Sequence, residues 1–285
     1  MNMEILSKKR CFIGEGPIWN DFEGLLYFTN SRELEICALD IYTKELTVIA
    51  TGISAAAIAF DKENRMILSG KNGVFYFDIK ENRTTPLLDT SKHCLLYAND
   101  MKVGPDGRIY VGTQSEKRVG ISDNVDGKLY SIDKNGNVRT LLEGLLLSNG
   151  MDWSMDEKRF YHTDSDTRLI KEYSFDKESG DIEYTGRSVY VKGVDGFTID
   201  ENDLLYVACW GQGHIAVVDT RDMNIVEYIE VPARIPASCA FAGKDMNELV
   251  VVTADYKNAS ATDEYAGYTF KKEMSAHGRL PYLFG

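Results

Sequence analysis

Gly14-Glu15-Gly16-Pro17-Ile18-Trp19, followed by the polar turn Asn20-Asp21-Phe22-Glu23-Gly24 and the apolar run Leu25-Leu26-Tyr27-Phe28, is the stretch from which the fold can be read. Two short apolar runs joined by a glycine-containing turn of about five residues predict a β-hairpin. The hairpin recurs. With Trp19 as anchor, an apolar residue just before a polar turn returns at Phe60, Val103, Trp153, Ile199 and Phe241, at spacings of 41, 43, 50, 46 and 42 residues. Six copies of a unit of roughly 40–50 residues, the length of a four-stranded blade, predict an all-β, six-bladed β-propeller.

Four residues before each anchor stand Glu15, Ala56, Asn99, Asn149, Asp195 and Ala237. The innermost strand of each blade lines the central channel, so equivalent positions form a ring about the axis. Glu, Asn, Asn and Asp carry the oxygen donors that a hard divalent cation prefers, and one Glu plus one Asp match its two charges. The ring reads as a metal site in the channel. Taken singly, each of the four is an ordinary turn or strand-end residue bonding its own backbone; four at one offset, with small residues at the other two, form a pattern. The glycines after Glu15, Asn149 and Asp195 suit backbone that approaches closely or turns sharply beside a ligand.

The repeats occupy nearly all 285 residues, which predicts one closed domain over 1–285. At 44% hydrophobic and 11% aromatic, with 16 Tyr, the chain has material for a large core. A net charge of −12 argues against nucleic-acid or anionic-membrane partners, which require Lys and Arg to replace counterions. No apolar run approaches a membrane span, and the basic residues Lys8-Lys9-Arg10 follow the few apolar ones at the N-terminus, the wrong order for a secretory signal. Cys11, Cys37, Cys94, Cys209 and Cys239 form no CxxC pair, which suits a cytoplasmic protein with reduced thiols. His93, His162, His214 and His277 show no zinc-binding spacing, and the chain has no Gly-x-Ser-x-Gly elbow, Walker loop or dinucleotide fingerprint.

Residues 3 to 13 read as a strand that pairs as the outer strand of the sixth blade, so that no sheet edge is left open there. The segment Gly267-Tyr-Thr-Phe-Lys supplies an inner strand of that blade, and His277-Gly-Arg-Leu-Pro ends it. An insert from Gln114 to Asp126 lengthens the third repeat and is either a lid over the channel mouth or a solvated loop.

Glu15-Gly-Pro-Ile-Trp, Asn99-Asp100 with Pro105-Asp-Gly-Arg-Ile-Tyr-Val-Gly-Thr, Ser148-Asn149-Gly, and Asp195-Gly with Leu-Tyr-Val-Ala-Cys-Trp occur in order along the chain. Together they resemble the SMP-30/gluconolactonase/regucalcin-like family. The resemblance implies one divalent metal in the channel, held at Glu15, Asn149 and Asp195, with Asn99 touching substrate or metal. It implies hydrolysis of a small-molecule sugar lactone to an aldonic acid, with Asp195 as general base and Asp100 or Asp123 meeting substrate hydroxyls at the rim. Ca, Mg, Mn, Fe and Zn all accept such oxygen donors. Other members act on phosphotriesters or are described as calcium-binding proteins, so a phosphotriester or aryl-ester hydrolase and a calcium- or metabolite-binding propeller without turnover are the alternatives. The chain departs from the sugar-lactonase pattern at two places. Tyr97, counted with the substrate-binding residues, stands where an arginine is common, and Gln114 where a methionine is usual. Loss of the guanidinium removes a multi-donor group suited to sugar hydroxyls.

Overall fold

The structure, a computed structural model, describes residues 3–88 and 95–285. Its strands form six four-stranded sheets, each joined in sequence order in five of the six cases. The innermost strands are Gly14–Asn20, Ala57–Phe60, Ala98–Val103, Ser148–Trp153, Val194–Ile199 and Pro236–Ala242. Each contacts the innermost strands on either side, so the six close a ring about a central channel. This is a six-bladed β-propeller. All six anchor residues are buried, because each lies at or next to the end of an innermost strand where neighbouring blades press together.

The second strand of each blade is covered on both faces by adjacent blades. Such a strand reads as a continuous apolar run rather than an alternating one; Leu205-Tyr-Val-Ala-Cys209 is an example, with every residue buried. Between blades three and four an aromatic cluster fills the wedge. Tyr110 meets Trp153 edge-on at 4.8 Å between ring centroids, with Phe160 and Phe175 behind. Such pairs contribute about 0.5–1.5 kcal/mol each beyond their buried area.

The sixth blade closes as expected. Glu4–Ser7 pairs antiparallel with Thr269–Glu273, Ile5 opposite Phe270, and becomes the outer strand of a sheet begun by Pro236–Ala242. Thr269–Glu273 is the third strand of that sheet and does not face the channel. The chain does not stop at His277. Residues 274–285 run across the base of the propeller as a strap: Gly278 bridges Asp200 of blade five, Tyr282 donates its hydroxyl to Glu157 of blade four at 2.8 Å, Phe284 bridges Asp61 of blade two, and Gly285 N–H bonds Gly107 of blade three.

The glycines beside the ring residues serve the seams between blades. A Cβ on Gly150 would lie 2.3 Å from Phe197 Cδ1 and 2.6 Å from the Asp195 carbonyl oxygen, both in the next blade. A Cβ on Gly196 would meet Ser238 Oγ at 2.2 Å. Gly16 adds a conformational demand, with φ of +56°. Cys11, Cys37, Cys209 and Cys239 are free and buried; Cys94 and His93 lie outside the described residues. Among the described residues no helix is long and apolar enough to cross a membrane.

Candidate active site

All six ring positions, Glu15, Ala56, Asn99, Asn149, Asp195 and Ala237, line a single cavity on the propeller axis, joined there by Gly16, Asp100, Gly196 and Ser238. A local irregularity aims them. The pairing of the innermost strand with its neighbour slips between Glu15 and Ile18, Ala98 and Met101, Asn149 and Met151, Val194 and Phe197, and Pro236 and Ser238. These β-bulges sit at the ring positions of five blades, and a bulge re-aims a side chain that regular pleating would direct elsewhere.

The cavity is acidic. Glu15, Asp100 and Asp195 line it, and none of its lining residues is Lys, Arg or His. Burial raises the pKa of Glu15 to about 7, with Asp100 pushing it further up and a hydrogen bond from Ser31 opposing. Burial is likewise the first cause holding Asp195 well above the ordinary carboxylate range, followed by repulsion from Glu15 and Asp100. Asp100 is raised by burial, against which Lys102 acts. Burial leads in all three cases; Asp195 is raised further by Glu15 and Asp100, Glu15 by Asp100, and Asp100 by Asp152.

The two asparagines are held in different ways. Asn149 Nδ2 donates to Ser165 Oγ at 3.2 Å and to Asp195 Oδ1, which uses both of its N–H donors and leaves the carbonyl oxygen. Asn99 Nδ2 donates to the Ser148 carbonyl at 3.0 Å, while its Oδ1 accepts from Gln114 Nε2 at 3.1 Å. Ser148 in turn shares a 2.7 Å hydrogen bond with His162 Nε2. That Ser–His pair is buried, and burial lowers the His162 pKa to about 3. Neither residue lines the cavity, so the pair supports the ring and is not placed as a nucleophile.

Asp100 lies below the ring and not at the rim, since it lines both this cavity and a second one beneath it. Tyr97 is half-buried with φ of +58°. It bonds the Lys71 carbonyl through its backbone N–H and the Gln114 N–H through its carbonyl, and it does not line the cavity. Asp123 is exposed in the 114–126 insert, away from the cavity lining. That insert is tied to itself by Lys117 N–H to Asn124 and Glu116 N–H to Asp126, and to blade four by Arg118 and Asp166, 3.1 Å apart.

The second cavity, with about 80 Å³ of interior space, continues down the channel to the C-terminal strap. Its wall includes Ile18, Ala59, Lys102, Asp152, Thr198 and Ala240, each three residues after a ring residue. Lys102 Nζ bonds Asp152 Oδ2 at 2.5 Å and the Phe197 carbonyl at 3.0 Å. The sequence reading passed over this second ring, although the same repeat spacing marks it.

The donor chemistry of the upper ring fits a hard cation. Two carboxylates and an amide oxygen line a cavity that has no Lys, Arg or His in its wall, with Arg32 acting on Glu15 from outside it, and the residues at Ala56 and Ala237 are small. Among the described residues no three His, Cys, Asp or Glu side chains group as a ligand set by themselves.

A sequence profile described as the SMP-30/gluconolactonase/LRE-like region matches residues 13–255, most of the chain. The chain belongs to the SMP-30/gluconolactonase/LRE-like family. Among relatives, YvrE of Bacillus subtilis, provisionally named a sugar lactone lactonase, is 28% identical, the alignment covering 100% of this chain and 99% of that one. Human regucalcin is 27% identical, with 100% of this chain and 98% of regucalcin covered. In fold, a calcium-binding protein from Agrobacterium tumefaciens, regucalcin, superposes with a TM-score of 0.87 at 24% identity, covering 100% of this chain and 97% of that one. Family membership thus brings this chain among sugar lactone lactonase and regucalcin-like proteins.

Proposed function

We propose that this protein hydrolyses a sugar lactone to its aldonic acid with a divalent cation held by Glu15, Asn149 and Asp195. One observation carries the reading: the six ring positions meet in one cavity whose ionisable side chains are all carboxylates. When bound, the cation supplies Lewis acidity for the lactone carbonyl oxygen and for the oxyanion that forms from it.

The remaining work falls to side chains. Asp195, buried and beside Glu15, takes a proton from the attacking water as that water adds to the carbonyl carbon. The C–O bond to the ring oxygen then breaks and the proton passes to the alkoxide, leaving a hydroxyl and a carboxylic acid that ionises. Asn99, fixed through Ser148 and Gln114, presents its remaining N–H to a substrate oxygen. Asp100, on the floor of the cavity, accepts from a substrate hydroxyl. No arginine lines the cavity, so recognition of the sugar rests on the Asp100 carboxylate and the Asn99 N–H. The four buried free thiols accord with a reducing, cytoplasmic setting.

The test is acid release, followed at constant pH, from a panel of aldono-lactones, an aryl ester and a phosphotriester. Chelated protein is used, with Ca, Mg, Mn and Zn restored singly. Cation-dependent turnover of a lactone, lost in Asp195→Asn and Glu15→Gln with the fold intact, is expected. Undiminished turnover by chelated Asp195→Asn would overturn the mechanism. Cation binding with no turnover across the panel would leave a metal-binding propeller without hydrolase activity.

A further inference from the structure

We infer that Gln114 is a positioning residue that withholds the Asn99 carbonyl oxygen from the cation and so assigns Asn99 to the substrate. The inference rests on the cation reading proposed above and goes beyond it. It begins from a contrast between two asparagines at the same ring offset.

The Ser148 carbonyl can only accept a hydrogen bond, so the Asn99 atom 3.0 Å from it is Nδ2. The other end of the amide, Oδ1, therefore faces Gln114, and the Gln114 atom 3.1 Å away is the donor Nε2. At Asn149 it is Nδ2 that meets the Asp195 carboxyl and the Ser165 hydroxyl, and among the described residues no amide donor faces its Oδ1. One ring oxygen is engaged by a neighbour and its counterpart is left for a ligand.

Gln114 is itself well placed to do this. It stands just past the strand Ile109–Thr113, its backbone N–H bonds the Tyr97 carbonyl at 3.0 Å, and it bridges to Leu147 of the adjoining segment. The Asn99 backbone is pinned as well, its carbonyl accepting from Ser69 Oγ at 2.5 Å. With both backbones held, the amide contact is set by χ angles alone, and removing the Gln114 amide frees Asn99 Oδ1 to turn toward the cavity that Asn99 already lines. An additional neutral oxygen raises the ligand count of a hard cation without adding charge repulsion.

Isothermal titration of chelated protein with Mn²⁺ alone tests this without any substrate. Gln114→Leu is expected to tighten Mn²⁺ binding by about threefold to tenfold, an effect of one added oxygen ligand. Combining it with Asn99→Ala is expected to abolish that gain. Asn99→Ala alone is expected to stay within about twofold of the parent, while Asn149→Ala weakens binding by more than about tenfold. Gln114→Ala repeats the experiment should the leucine disturb the seam. Unchanged or weaker binding in both Gln114 variants, or a gain that survives Asn99→Ala, overturns the inference and leaves the cation reading standing. A parent chain that binds no divalent cation overturns both.

Discussion

Arg279 Nη2 lies 2.6 Å from Asp152 Oδ1, so the C-terminal strap is anchored to the inner wall of the channel by an ion pair. The same guanidinium reaches the carbonyls of Trp153 and Ser154, and Lys102 holds the other Asp152 oxygen. Asp152 is 7% exposed and Arg279 16%, so loss of one partner leaves charge in a poorly solvated place. Arg279→Ala is expected to lower stability by about 2 kcal/mol, less than for an isolated buried pair because Lys102 remains. Arg279→Lys should recover part of it. Urea-unfolding midpoints of the three proteins check this, and identical midpoints would show that the strap is not anchored there.

Asp195→Asn is expected to separate stability from cation binding. Removing one of three crowded carboxylates relieves repulsion in the chelated protein, so that the variant unfolds at higher temperature than the parent at pH 8, by an amount equivalent to about 1–2 kcal/mol. With cation at a hundredfold its Kd the order reverses, since the parent gains about 2.7 kcal/mol by mass action and the variant little. Melting curves with and without Mn²⁺ decide it.

His162 gives a pH dependence of known sign. Its folded pKa, about 3, is below the unfolded 6.5, so the neutral ring contributes stability that is present above pH 6.5 and lost as pH falls toward 3. In chelated protein Glu15 acts oppositely: its folded pKa of about 7 exceeds the unfolded value of 4.5, and its contribution is lost as pH rises from 4.5 to 7. The difference between parent and His162→Gln isolates the histidine. As pH falls from 6.5 toward 5 that difference should shrink, with a slope approaching about 1.4 kcal/mol per pH unit, and a flat difference would show that the ring titrates in the fold as it does unfolded.

Gly150→Ala tests the seam between blades four and five. The new methyl would meet Phe197 at 2.3 Å and the Asp195 carbonyl at 2.6 Å, one a ring atom and one backbone. Relief requires the two strands to part, at a cost of about 1–3 kcal/mol, and moves Asp195 relative to Asn149. Lower stability together with weaker Mn²⁺ binding is expected; a loss of stability with unchanged binding would mean that the strain is taken up elsewhere.

Much of this architecture was legible because a propeller repeats. Recurrence of the anchor every 41 to 50 residues from Trp19 to Phe241 gave the blade count, and one offset from those anchors gave the six positions that meet in the cavity. The Lys102–Asp152 pair was equally accessible at an offset three residues later but was hidden by reading only the first ring. The strap was not legible, since Asp61 and Phe284 are far apart in sequence and no periodicity links them. Gln114 was visible only as a departure from a pattern, and its bond to Asn99 depends on a backbone course that sequence spacing does not specify. Tyr97 and Asp123 were named from the family resemblance, one for standing where an arginine is common and the other as a rim contact; Tyr97 has a left-handed backbone, Asp123 is in an exposed loop, and neither lines the cavity.

Ala56 and Ala237 face the same cavity as the four polar ring residues, Ala237 on an innermost strand and Ala56 just before one. They are vacant sockets on a six-position mount. A change of side chain at either one alters the charge or donor set of the cavity from a blade that now contributes neither. The chemistry of such a chain can therefore drift one socket at a time.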